Sequence, residues 1–298
     1  MVHQLLHGCL SNMSNLTDLI SAGGSGGGAL FTIPVTKSTT WTPPFDGTAV
    51  IHVIGAGGSG AMATDNTLTG GGAGGYSKKT VTLSTGTNWT MVVGAGGLST
   101  SGTGSGGNGT AGGNTTATDG THSLTANGGA GGVKNLLYVS GAAAAGGTAS
   151  GGSVNNTGGA SGSPNYCSAG GAVGVLGTGN AGDNSGFPYA STKTGGHSDV
   201  QSPQFENTNG ELYGGGRGGR SGYYGTGVGT TSNVDGEFLA GGGAVTVQFA
   251  SKTNQGGNGG IGGGGGGAVL YPSSNQTQYV ASGAGGNGLI IVMYTAIG

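Results

Sequence analysis

Glycine, arranged in tracts, constrains this chain more than any other feature. The tracts run over 70–75, 102–113, 128–132, 214–222 and 256–267, and glycine supplies 78 of the 298 residues. Ordering a glycine costs more backbone entropy than ordering any other residue. A folded chain of this kind therefore needs many compensating backbone hydrogen bonds. The polyglycine-II form of the left-handed three-residue helix supplies them: it has no internal bonds and rises about 3.1 Å per residue. Without Cβ atoms, neighbouring rods approach closely enough to pair N–H with C=O. Triplet phasing agrees with this. Residues 256–267 read GGN GGI GGG GGG, which predicts a single rod of about 37 Å with Asn258 and Ile261 on one edge. Residues 214–222 read GGG RGG RSG, which sets Arg217 and Arg220 on one edge roughly 9 Å apart.

Short β-type runs alternate with these tracts. Leu30 to Val35, Ala49 to Ile54, Tyr76 to Leu83, Asn88 to Val93 and Leu289 to Tyr294 carry branched and aromatic residues in strand-like order. Pro34 confines the first run to a sheet edge. The expected fold is mainly β: a small antiparallel β-sandwich carrying a polyglycine-II helical bundle with exposed variable loops. The last strand is expected to pair back near the first ones. Residues 30–97 plus 288–298 then form a β framework, 98–287 the bundle with its loops, and 1–29 an N-terminal segment. In that segment Leu6, Leu10, Met13 and Ile20 keep helical spacing. It reads either as a leader or helix on its own domain, or as a docking or oligomerisation segment. No Lys or Arg precedes Lys37, so a cleaved secretory signal is not expected.

Gly55 to Gly60 matches the dinucleotide motif G-x-G-x-x-G. At this glycine content chance supplies roughly five such matches. The copy at Gly283 to Gly288 runs into a strand, and the glycine-rich stretch after Gly60 cannot sustain the helix that a pyrophosphate site needs. Charged residues make up 6% and the net charge is −2, which gives nucleic acid no electrostatic footprint. No apolar run reaches the 18 residues of a membrane helix. Cys9 and Cys167 allow one bridge or two thiols. His3 and His7 are the one histidine pair at metal-like spacing, and neither a metal, a cofactor nor a pair of catalytic carboxylates is expected.

Between the tracts lie non-repetitive interruptions in which aromatics concentrate. Rigid scaffolds display binding residues on such connections, and Tyr gives large contact area at low entropic cost. The candidate binding residues are Tyr138, Tyr166, Phe187, Tyr189, Phe205, Tyr213, Tyr223, Tyr224, Tyr271 and Tyr279, with Arg217 and Arg220 as a contact for anionic groups. The alternative is that some of these aromatics fold back to cap the glycine bundle.

The order TTWTPPFDGTAVIHVIGAGGSG, GGGAGGYSKKTVTLSTGTNWTMVVGAGG and GAGGNGLIIVMYT resembles the glycine-rich C-terminal domains of bacteriophage tail fibres over about residues 38–298. The resemblance implies a non-enzymatic fibre-tip adhesin of the virion, packed from polyglycine-II helices. Such an adhesin binds a bacterial surface protein or polysaccharide through its loops. It further implies a fibre shaft or other virion protein as partner of the N-terminal segment, and a homotrimer is one expected assembly. The competing expectations are a structural fibre or decoration protein without receptor binding, and an ice-binding polyglycine protein.

Overall fold

The computed structural model describes residues 30–64, 67–102, 106–134, 142–163, 168–182, 196, 222–224, 235–236, 238–242, 245–247, 254–270 and 280–296. Among these residues the regular structure is all β, with no helix assigned. Two five-stranded antiparallel sheets form a sandwich. One has the order Leu30–Val35, Leu289–Ala296, Gly47–Ile54, Tyr76–Leu83, Val154–Asn156. The other has the order Ala149–Ser150, Ser123–Ala126, Thr115–Thr118, Trp89–Val92, Thr39–Trp41. The closing strand pairs with Leu30–Val35 on one side and Gly47–Ile54 on the other, and the strand containing Pro34 lies at the sheet edge.

Period-two alternation builds the core. Ile51, Val53, Val81, Leu83, Ile290 and Val292 point from the first sheet toward Trp89, Met91, Ala117 and Leu124 of the second. Trp89 is fully buried and stacks on His122, with ring centroids 6.1 Å apart. The Tyr294 hydroxyl donates to the Phe45 carbonyl at 2.6 Å, tying the last strand to the 42–46 connection. Burial pushes that hydroxyl's pKa up. A second apolar cluster covers the back of the first sheet: Ile54, Tyr76, Leu289, Ile291 and Met293 meet Val173, Val175 and Leu239.

Each inner strand runs on into an extended glycine segment, and the sheet order persists there. Residues 55–61 continue Gly47–Ile54, and 69–75 feed Tyr76–Leu83. Gly55, Gly58 and Ala61 donate to the carbonyls of Gly75, Gly72 and Thr69 in turn. Ala56 and Ser59 donate instead to Gly113 and Thr110, and Gly57 and Gly60 to Gly286 and Gly283. Every third amide thus meets the same neighbour, and three successive amides meet three different ones. The carbonyls of Ala56 and Ser59, Gly57, and Gly58 and Ala61 accept from three further segments: 129–132, Gly97 and 265–268. Segment 55–61 is surrounded on all sides by backbone. Segment 262–268 repeats the arrangement, with partners in 58–61, 71–74, 168–171, 257–260 and 283–287, and at Gly242.

Three layers result. The segments around 283–286, 55–61, 69–75 and 157–163 extend the first sheet, and those around 94–100, 108–114, 127–133 and 142–148 extend the second. A third layer holds 257–260, 262–268, 168–174 and 179–182. Sandwich and bundle interleave along the chain. Strands between Thr115 and Asn156 come from within 98–287, whereas glycine segments 55–61 and 69–75 come from within 30–97.

One expectation is corrected. Residues 256–267 do not form a single rod. The chain reverses at Ile261 and Gly262, and Gly266 and Gly263 donate back to Gly257 and Gly260. Gly262 adopts φ +69°, which only glycine takes without strain, and Ile261 packs on the apolar back of the first sheet. Asn258 does not line an outer edge with Ile261. Its side-chain oxygen accepts from Ala284 N–H in the neighbouring segment.

Candidate binding end

The chain path sorts its connections by end. Turns around Gly86, Gly120 and Gly151 close the strands at the sandwich end, and residues 175–178 and Ile261–Gly262 close the third layer against the sheet's back. From Ile54 the chain runs outward through 55–61 and reaches Met62–Thr64 at the opposite end. There Met62–Thr64, Ala268–Leu270, Val245–Val247 and Gly222–Tyr224 pair in parallel, with Gly106–Gly107 antiparallel at one edge. Register aligns Tyr223 with Thr246, Val269 and Ala63, and Tyr224 with Val247, Leu270 and Thr64. A three-stranded sheet of Asn254–Gln255, Val280–Ala281 and Ser101–Gly102 lies at the same end.

Of the candidate binding residues, Tyr223 and Tyr224 lie in a described strand, whereas the sequence reads them as part of a loop. Three residues are too few to show a period, and the parallel partner Val245–Val247 is remote in sequence. Tyr138, Tyr166, Phe187, Tyr189, Phe205, Tyr213, Arg217, Arg220, Tyr271 and Tyr279 lie outside the described residues. So do His3, His7, Cys9, Cys167 and the N-terminal segment. The residues that bracket these stretches are informative. Lys134 and Ala142 flank Tyr138, Ser163 and Ser168 flank Tyr166, and Leu270 and Val280 flank Tyr271 and Tyr279; every one of these flanks sits at the far end. Segment 179–182 heads toward the same end, and Gly222 belongs to its sheet; between them fall the remaining phenylalanines, tyrosines and both arginines. Phe238 behaves differently, packing partly buried against the cluster around Tyr76.

Hydroxyls and amides stitch this end where direct backbone pairing fails. The buried Ser168 hydroxyl donates to the Gly162 carbonyl at 2.7 Å and accepts from Gly70 N–H at 3.1 Å. Ser161 accepts from Ala144 N–H and Asn108 from Lys134 N–H; beside the sandwich, Asn287 does the same for Gly96 N–H. Sequence reasoning gives these residues no role; their one signal is a polar residue interrupting a glycine or alanine run. Charge is sparse. Asp119, at the sandwich-end hairpin tip, is pushed up by burial, but hydrogen bonds from the His122 and Thr121 amides and the His122 ring outweigh this and hold its carboxyl below the ordinary value. Among the described residues no three His, Cys, Asp or Glu side chains are grouped to hold a metal ion, and no helix is long and apolar enough to cross a membrane.

No curated protein matches the chain. A family described as a glycine-rich domain matches residues 33–295, from the first strand of the sandwich to the last, and the chain belongs to that family.

Proposed function

We propose that the glycine segments are polyglycine-II helices and that the protein is a non-enzymatic adhesin at the distal tip of a phage tail fibre. In this reading, loops mounted on the glycine scaffold bind a bacterial surface protein or polysaccharide. The three-fold alternation of hydrogen-bond partners along 55–61 supports the helix assignment, because a three-residue turn aims successive amides about 120° apart. One observation carries the adhesive reading. Tight turns close the sandwich end, while the aromatic-rich interruptions leave and rejoin the fold at the other end. In this reading such sorting separates a compact supporting end from a recognition surface. The sequence resemblance to fibre-tip domains supplies the biological setting, with residues 1–29 as the attachment to a shaft.

The test replaces residues 198–213 by a short Gly-Ser connection. Gly196 is kept, because its amide donates to Gly170 and its carbonyl accepts from Gly241. Labelled wild-type protein is expected to coat cells of some strains in a bacterial panel, and the folded variant to lose that coat. A wild type that coats no strain overturns adhesion. A folded variant that coats as well as wild type removes this stretch from the site.

A further inference from the structure

We infer that the outer face of the second sheet, together with the glycine layer that extends it, is a contact surface between two copies of this chain. The face starts on the sandwich. Facing away from the core, Thr90, Thr118 and Ser123 align across Trp89–Val92, Thr115–Thr118 and Ser123–Ala126, with Val92, Thr116 and Thr125 in the next row. It continues without a step onto the segments around 94–100, 108–114, 127–133 and 142–148, which keep the same side-by-side order. There every third residue faces outward. In 142–148 exposure repeats with period three, and Ala142, Ala145 and Thr148 form the exposed row. Asn108, Ala111 and Asn114 form the corresponding row next to Leu98.

Three observations favour a second copy as the occupant. First, among the described residues the rows carry Thr, Ser, Asn, Ala, Val and Leu and no charge, so two such faces meet without repulsion or stranded ions. Second, Val92, Leu98 and Val133 stand on this face, and among the described residues the only other exposed large aliphatic is Leu176. Leu98 is the most exposed of them, at 77%. Third, the size fits. Seven glycine-segment residues and four strand residues span about 35 Å, and four chains about 20 Å, giving about 700 Å² against the ~800 Å² that each partner contributes to a stable interface. A face that pairs with itself about a two-fold axis closes at two copies.

This inference is independent of the adhesive reading. It is tested on the full chain by sedimentation equilibrium over a hundredfold dilution series. The expected result is a monomer–dimer equilibrium, weakened at least tenfold by the pair Ala111→Arg and Ala145→Arg. Both residues are exposed, so circular dichroism and the melting temperature stay as in wild type. Thr178→Arg, exposed on the third-layer turn, leaves the dimer intact. A wild type that is monomeric throughout overturns the inference, and so does a trimer, whose heterologous contacts do not pair a face with itself. A dimer indifferent to the two arginines overturns it as well. A monomer that produces thermal hysteresis assigns the face to ice instead.

Discussion

The sandwich and the bundle share the same chains yet are held together by different parts of them. In the sandwich, backbone bonds lie in the plane of each sheet and side chains fill the space between sheets, with Trp89, Ile51 and Leu124 among them. In the enclosed segments of the bundle, 55–61 and 262–268, backbone bonds leave in every direction and occupy the place of the side chains. The boundary falls between Ile54 and Gly55, where pairing with two in-plane neighbours gives way to donation to three in rotation. The difference separates two uses of glycine. At Gly86 there is open space around the missing Cβ and φ is +83°, so glycine supplies conformation. At Gly57 φ is not in the left-handed region, but a Cβ would overlap the Gly263 carbonyl, so glycine supplies proximity.

Substitutions at these places break or sharpen that contrast. Trp89→Ala empties the largest side chain of the sandwich core and is expected to cost about 3–5 kcal/mol in chemical denaturation. Gly57→Ala adds one methyl group where there is no side chain to yield, and about 3 kcal/mol is expected, at the upper end for overpacking. Equal damage from Gly57→Ala and Gly86→Ala would erase the distinction between the two uses. Ser168→Ala leaves Gly70 N–H and the Gly162 carbonyl unbridged in a buried site, for about 2 kcal/mol and faster amide exchange at Gly70. Gly86→Ala places a Cβ in the left-handed region with open space around it, and a loss of about 1 kcal/mol is expected in chemical denaturation.

The smallest effect is electrostatic. The folded state depresses the Asp119 pKa, so its stabilisation is present above the unfolded value and is lost as pH falls through the folded one. Acidification below about pH 4 is expected to loosen the 118–123 hairpin, seen as exchange broadening of the His122 amide, while the bundle amides are unchanged.

The strands are legible in the sequence because their side chains alternate. Leu30–Val35 and Tyr76–Leu83 appear with the bounds read from the residues. The glycine segments are legible as a class but not in their path. Nothing in GGNGGIGGGGGG marks a reversal except Ile261, whose meaning depends on an apolar surface contributed by residues far away in sequence. Interleaving was hidden for the same reason: a backbone amide carries no identity, so the partnership of Gly58 with Gly72 is not written in either residue. Outer segments are more readable. The run AAAAGGT at 142–148 tolerates side chains because one row in three faces out, whereas 262–267, enclosed by other segments, is glycine throughout. Of the candidate site, the clustering of interruptions at one end follows from chain direction, which composition does not reveal.

The enclosed segment 262–267 has a chemical consequence. It contains no thioether to oxidise, no carboxamide to hydrolyse and no side chain for a protease subsite to grip. Such an interior ages slowly, because the reactions that chemically damage proteins start mostly at side chains.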